Sequence, residues 1–239
     1  MKRILYPIIC LLTLVSCAEQ YKIAGNSNVT SLDGRMLYLK VAGDSMFYAL
    51  DSCEVIHGKF SFNGAMDSTM MAEIYMDNRS LLPVVIENAD ITVLFSNIEQ
   101  RVSGGPLNER LYKFLSEKDH LLSEYMELPR KRMQMMLRGD NPIDIQQAIN
   151  HEAQELSDKI ENLETTFVMN NYDNVLGTSY FLYICNQLNY PIMTDQIKVI
   201  LEKAPKHFLA NPLVNNYVTV ANANMNSMRH FDNLVNAGN

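Results

Sequence analysis

The 239-residue chain carries 20 lysines and arginines against 27 aspartates and glutamates, a formal charge of −7, and 47% of its residues are hydrophobic. So acidic a body argues against nucleic-acid binding, and the length allows one large or two small domains with a sizeable core. There is no tryptophan, and none of the four cysteines stands in a C-x-x-C pair, which leaves little for dithiol redox chemistry.

Lys2 and Arg3 form a short basic segment ahead of an apolar run, Ile4 to Val15. That run is too short to span a bilayer and suits a signal peptide. It ends in "LVSC", Leu14 to Cys17, which resembles a bacterial lipobox and implies cleavage before Cys17 and acylation of that cysteine. An ordinary secretory signal cleaved nearby is the alternative. Loss of Lys2 and Arg3 would make the mature chain two units more acidic. Several acyl chains hold a protein firmly to a bilayer, so the expected address is a lipid anchor in the cell envelope. Ala18, with no aspartate at that position, points to the outer membrane, and the side faced is left open. The predicted division is a signal peptide at 1–16, an antiparallel β domain at 17–105 and a helical region at 106–239.

From about Tyr21 to Gly105 the pattern is strand-like. "RMLYLKV" (Arg35 to Val41) alternates, and "MFYAL" (Met46 to Leu50) leads into "DSCEVIHGKFSFNG" (Asp51 to Gly64). There His57-Gly58 suits a type I′ turn. Extending that hairpin sets Ile56 against Lys59, Val55 against Phe60 and Cys53 against Phe62. Cys53 then points into the core as an inert thiol. Asp51, on the same side near the open end, needs water or a backbone partner. "MMAEIYM", "LLPVVIE", "DITVLFS" and "EQRVSG" follow, with Asn88-Ala89 a tight connection and Pro83 marking an edge or bulge. The expectation is an antiparallel sandwich or barrel-like sheet.

From Pro106 the period becomes helical. Leu107, Leu111, Phe114, Leu115, Leu121, Leu122 and Tyr125 fall on one side, and "PRKRMQMMLR" (Pro129 to Arg138) reads as a solvated helix end or loop. "RGDNP" breaks the pattern. The next helix carries a seam of Ile149, Ala153, Leu156, Ile160, Leu163 and Phe167, too short for a coiled-coil dimer and suited to a hairpin with the preceding helix. Three further helices are predicted over Asp173 to Asn189, Thr194 to Lys203 and Asn211 to about Asn236. Thr194 would be an N-cap, and Pro212 would take a first helical position. Phe181, Cys185 and Leu188 share a face, so Cys185 also reads as core. A disulfide with Cys53 is conceivable in an oxidising compartment.

No convergent catalytic set emerges, and no cofactor is implied. "HEAQE" (His151 to Glu155) lacks the second histidine of a zinc helix, and the five histidines are scattered. "MQMM" and "MNSM" could offer thioethers to Cu(I), though core filler is the commoner use of methionine. "VSGGP" (Val102 to Pro106) could hold an anion at a helix start, but it lacks the lysine and spacing of a phosphate loop. The acidic stretch Glu152 to Glu164 reads as a solvated helix face.

Three stretches together, "LDSCEVIHGKFSFNG", "PVVIENADITV" and "VSGGPLNERLYKF", resemble an uncharacterised N-terminal domain of bacterial thiol:disulfide interchange lipoproteins of the TlpA type. "NYDNVLGTSYFLYICNQL" and the residues after it are similar to the connecting region of that family. The resemblance covers roughly Tyr21 to Ala221 and implies an envelope address and a strand module followed by helices. The catalytic thioredoxin-like domain that follows in the family has a tryptophan-flanked C-x-x-C. These residues contain no counterpart, so no redox residue carries over. The function expected is therefore a non-catalytic lipoprotein that binds another envelope protein. The alternatives are an accessory docking a separate thioredoxin-like partner, or a binding module for a small molecule or glycan.

Overall fold

The computed structural model describes residues 19–43 and 47–237. The expected signal peptide and Cys17 lie outside them. Alternation of apolar and polar residues builds eight strands among the described residues: β1 (Glu19–Ser27), β2 (Met36–Ala42), β3 (Phe47–Glu54), β4 (Lys59–Met66), β5 (Met70–Met76), β6 (Arg79–Ile86), β7 (Asp90–Phe95) and β8 (Gln100–Ser103). They form two four-stranded sheets, ordered β4-β1-β7-β8 and β3-β2-β5-β6. Leu37, Leu39 and Val41 of β2 alternate inward with Ile23, Phe62, Ile74, Ile91 and Val93 to fill one core between the sheets. The molecule is α+β, strands first and helices after.

The sandwich departs from the expected antiparallel pattern at one pair, since β1 runs parallel to β7. The strand β1 was not among the expected ones. It carries few apolar residues, and its partners β4 and β7 are distant in sequence.

The His57-Gly58 turn forms as expected, with φ of 51° and 72°, the positive values a type I′ turn requires. The ladder beyond it does not. Ile56 and Lys59 exchange backbone bonds of 2.9 and 3.0 Å, and there the pairing stops. Strand β3 stays in one sheet with β2, while β4 joins β1 in the other. Cys53 therefore pairs across with Leu37 rather than Phe62, and Phe62 pairs with Ile23. The turn is a corner between layers, because the inward faces of both strands need opposite sheets to cover them. Pro83 lies in edge strand β6, beside a register shift between Ile74 and Tyr75.

The helices are α1 (Pro106–Arg138), α2 (Pro142–Met169), α3 (Val175–Asn186), α4 (Asp195–Lys203), α5 (Lys206–Leu209) and α6 (Pro212–Ala237). The side chain of Thr194 accepts from Ile197 N–H at 3.2 Å as the predicted N-cap, and that of Asn211 accepts from Leu213 N–H at 3.0 Å ahead of Pro212. A second core of Leu111, Phe114, Phe167, Phe181, Ile197 and Phe208 packs on Val85 of β6. Val84 faces the sandwich core and Val85 the helical one, so β6 is the seam between them. Among the described residues no helix is long and apolar enough to cross a membrane.

Candidate interaction surface

The two described cysteines are free and occupy different cores. Burial pushes the Cys53 thiol up to about 11, partly offset by a hydrogen bond with the Ser61 backbone, and Asp51 raises it further. Burial likewise pushes Cys185 up to about 12. Neither is poised as a nucleophile at neutral pH. Asp51 finds the backbone partners its position called for, accepting from Ser52 N–H at 2.7 Å and Asn63 N–H at 2.9 Å. Its carboxylate thus ties the edge of β4 to β3 where backbone pairing has stopped.

The opposite edge of the sandwich is closed by the start of α1. Fully buried Asn108 imitates a strand residue: its Oδ1 accepts from Val85 N–H at 2.9 Å, and its Nδ2 donates to Val85 C=O at 2.8 Å. Tyr112 donates to Pro83 C=O at 2.9 Å. The anion at the "VSGGP" helix start is the chain's own Glu87. This carboxylate is buried and accepts from Leu107 N–H, Asn108 N–H and Asn108 Nδ2 at 2.9 to 3.2 Å. Gly105 is required there, because a Cβ would lie 2.4 Å from the Glu87 carboxyl at a φ of 87°.

Beyond its first three turns α1 leaves the body and pairs with α2 as an antiparallel arm. At the root, Lys118 Nζ lies 2.7 Å from Glu164 Oε1, both side chains nearly buried. Lys118 donates to Tyr180 OH at 2.8 Å, and Tyr180 OH donates to Glu164 Oε1 at 2.8 Å. Burial and the Glu164 carboxylate drive the Tyr180 phenol well above its ordinary value. Glu164 thus leaves the solvated face expected of its stretch and clamps α1, α2 and α3 together. The cluster supplies no reactive group: its ammonium and carboxylate satisfy one another, and its phenol stays protonated. A groove of about 720 Å³ between β6, β8 and the first turns of α1, lined by Pro83, Arg101, Glu109, Tyr112 and Lys113 among others, mixes both signs of charge.

Within the arm, Leu128, Ile145 and Leu156 are buried, and Ile149, Ala153 and Ile160 are half-buried against α1, as the seam predicts. Helix α1 continues unbroken past Pro129, making "PRKRMQMMLR" its exposed last turns. Leu122 and Tyr125 do not join the packed side. Instead Leu122, Met126, Met133 and Leu137 are spaced i, i+4, i+11, i+15, about four-tenths of a turn round the helix from the α2-facing seam. Met126 is 77% and Leu137 81% exposed, and Met133, Met136 and, across the turn, Ile143 are more than half exposed. The "MQMM" methionines Met133 and Met136 are therefore surface rather than core filler. Three flanking cations are paired: Arg130 with Glu127, Lys131 with Glu152 and Arg138 with Asp140. The spacing was present in the sequence but merged there with the packed face.

His151 is exposed and faces Glu155 at 3.7 Å along α2, and His120 faces Glu124 at 3.3 Å along α1. Among the described residues no three His, Cys, Asp or Glu side chains gather as metal ligands.

Fold and surface together define an α+β protein whose β-sandwich is sealed by its first helix and carries a helical arm with an apolar flank. Within it, residues 21–111 match the model of DUF4369, a domain of unknown function. That span takes in the whole sandwich from Tyr21 and reaches Leu111, so it includes Asn108 and the helix start that closes the sheet edge. No curated protein matches the chain.

Proposed function

We propose that this protein is a non-catalytic lipoprotein, anchored in the cell envelope through acylated Cys17, that binds another envelope protein along the exposed flank of α1. The observation that carries the reading is the Leu122, Met126, Met133, Leu137 stripe, four turns of apolar side chain that the chain's own α2 leaves uncovered. Anchors at i, i+4 and i+7-type spacing are how one helix enters a partner's apolar groove, and flexible methionines adapt to such a groove. The raised thiols, Cys53 half-buried and Cys185 buried, support a non-redox role for this chain, and the DUF4369 match supports an uncharacterised strand module at its N-terminal side.

Cys17→Ala should release the protein from the membrane fraction, while Met126→Lys with Leu137→Lys should leave it anchored but strip its partner from detergent-solubilised complexes. Undiminished partner recovery with the double variant would refute the docking face. A thioredoxin-like protein as the recovered partner would select the accessory reading over a general interaction module.

A further inference from the structure

Resting on the reading that Cys17 is acylated, we propose that the sandwich stands end-on on the bilayer, with Phe47 and Tyr48 seated in its headgroup boundary. Only Ala18 separates Cys17 from Glu19, where β1 begins. Two Cα steps span roughly 7 Å at most, so there is no linker to lift the domain away. The end of the sandwich holding Glu19 must lie at the lipid surface.

The strand registers identify that end. Glu19 pairs with Met66 at the end of β4, and after three intervening residues β5 starts at Met70. Phe47 pairs with Ala42 at the same end of the other sheet. The His57-Gly58 turn and the β7–β8 turn, whose Ile98 is 99% exposed, are at the far end. Phe47 and Tyr48 are 49% and 52% exposed. They are consecutive on β3 and so flank the sheet on both faces: Phe47 leans toward Tyr75 on the outside, ring centroids 6.0 Å apart, while Tyr48 pairs with Val41 on the inner side. Tyr48, with an apolar ring and a polar hydroxyl, favours the boundary between hydrocarbon and headgroups, and the wholly apolar ring of Phe47 adds hydrophobic area beside it. Exposed Asp67 and Asp90 share this end, so the seat is aromatic rather than cationic and needs no anionic lipid.

The chain lacks tryptophan, so Phe47→Trp creates a single reporter near the proposed seat and Ile98→Trp one at the far end. Each acylated protein is reconstituted into phosphatidylcholine vesicles with brominated acyl chains and recovered by flotation. The expected result is at least a two-fold loss of emission, with a blue shift, for Phe47→Trp and none for Ile98→Trp. Flotation without quenching of Phe47→Trp, or with equal quenching of both, would overturn the end-on seat and leave the anchor standing. Failure to float would refute the anchor itself and this inference with it.

Discussion

Cys53 and Cys185 look alike in composition and sit in different surroundings, yet burial treats them the same way. A thiol raised to about 11 is ionised to roughly one part in a thousand at pH 8, so a disulfide reagent should label folded protein at least ~100-fold more slowly than unfolded chain. Fast labelling of the native protein by both thiols would contradict the buried reading. The same shift fixes a pH dependence. The folded state holds these protons above the ordinary thiol value near 9, where the unfolded chain releases them. Stability contributed by the neutral thiols is therefore complete below pH 9 and falls as pH rises toward 11. Replacing both by alanine should flatten that fall between pH 9 and 10, as read from urea midpoints. It should also cost about 1–3 kcal/mol at pH 7 for the small cavities left behind. The inward direction of Cys53 was legible from the alternation of its strand. Its neighbour was not, because a type I′ turn looks the same whether it joins two paired strands or turns a corner between sheets.

At the scale of elements, periodicity located β2, β5, β6, β7 and β8 within a residue or two, and the Thr194 and Pro212 helix starts directly. What it could not show was how strand edges end. Edge strands expose unpaired N–H and C=O groups, and here two side chains take the place of a neighbouring strand: Asp51 of β3 caps β4, and Asn108 of α1 caps β6. In sequence, Asn108 is one of three polar residues between Leu107 and Leu111 and carries no periodic signal. Asn108→Ala should cost about 2–4 kcal/mol, since it strands the Val85 N–H and C=O in the interior and removes one partner of Glu87. Asn108→Asp should be as damaging, because it sets a second carboxylate beside Glu87 and cannot donate to Val85 C=O. A loss below ~0.5 kcal/mol in denaturant unfolding would mean that water replaces the side chain and that the edge does not depend on α1.

Across the whole molecule, the sandwich and the helices share strand β6, with Val84 in one core and Val85 in the other. The shared strand explains why the matched domain extends past the last strand to Leu111, and why the helical body is held at a fixed place on the sandwich. The Lys118, Glu164 and Tyr180 cluster then fixes the root of the arm. From there the α1 flank projects away from both cores, and Met126 and Leu137, each more than three-quarters exposed, bury little surface in the fold. The change of period at Pro106 made the two-part architecture readable from sequence. The docking flank was hidden, because a helix with apolar residues on two adjacent faces reads as one broad packed side. That flank is the surface through which the partner would bind. A photoreactive amino acid placed at Leu137, in the acylated protein in its own membranes, should give one discrete crosslinked species of defined mass upon illumination. The same group at exposed Lys206 on the helical body should give none. Identical products from the two positions, or no product from Leu137 and Met126 alike, would contradict it.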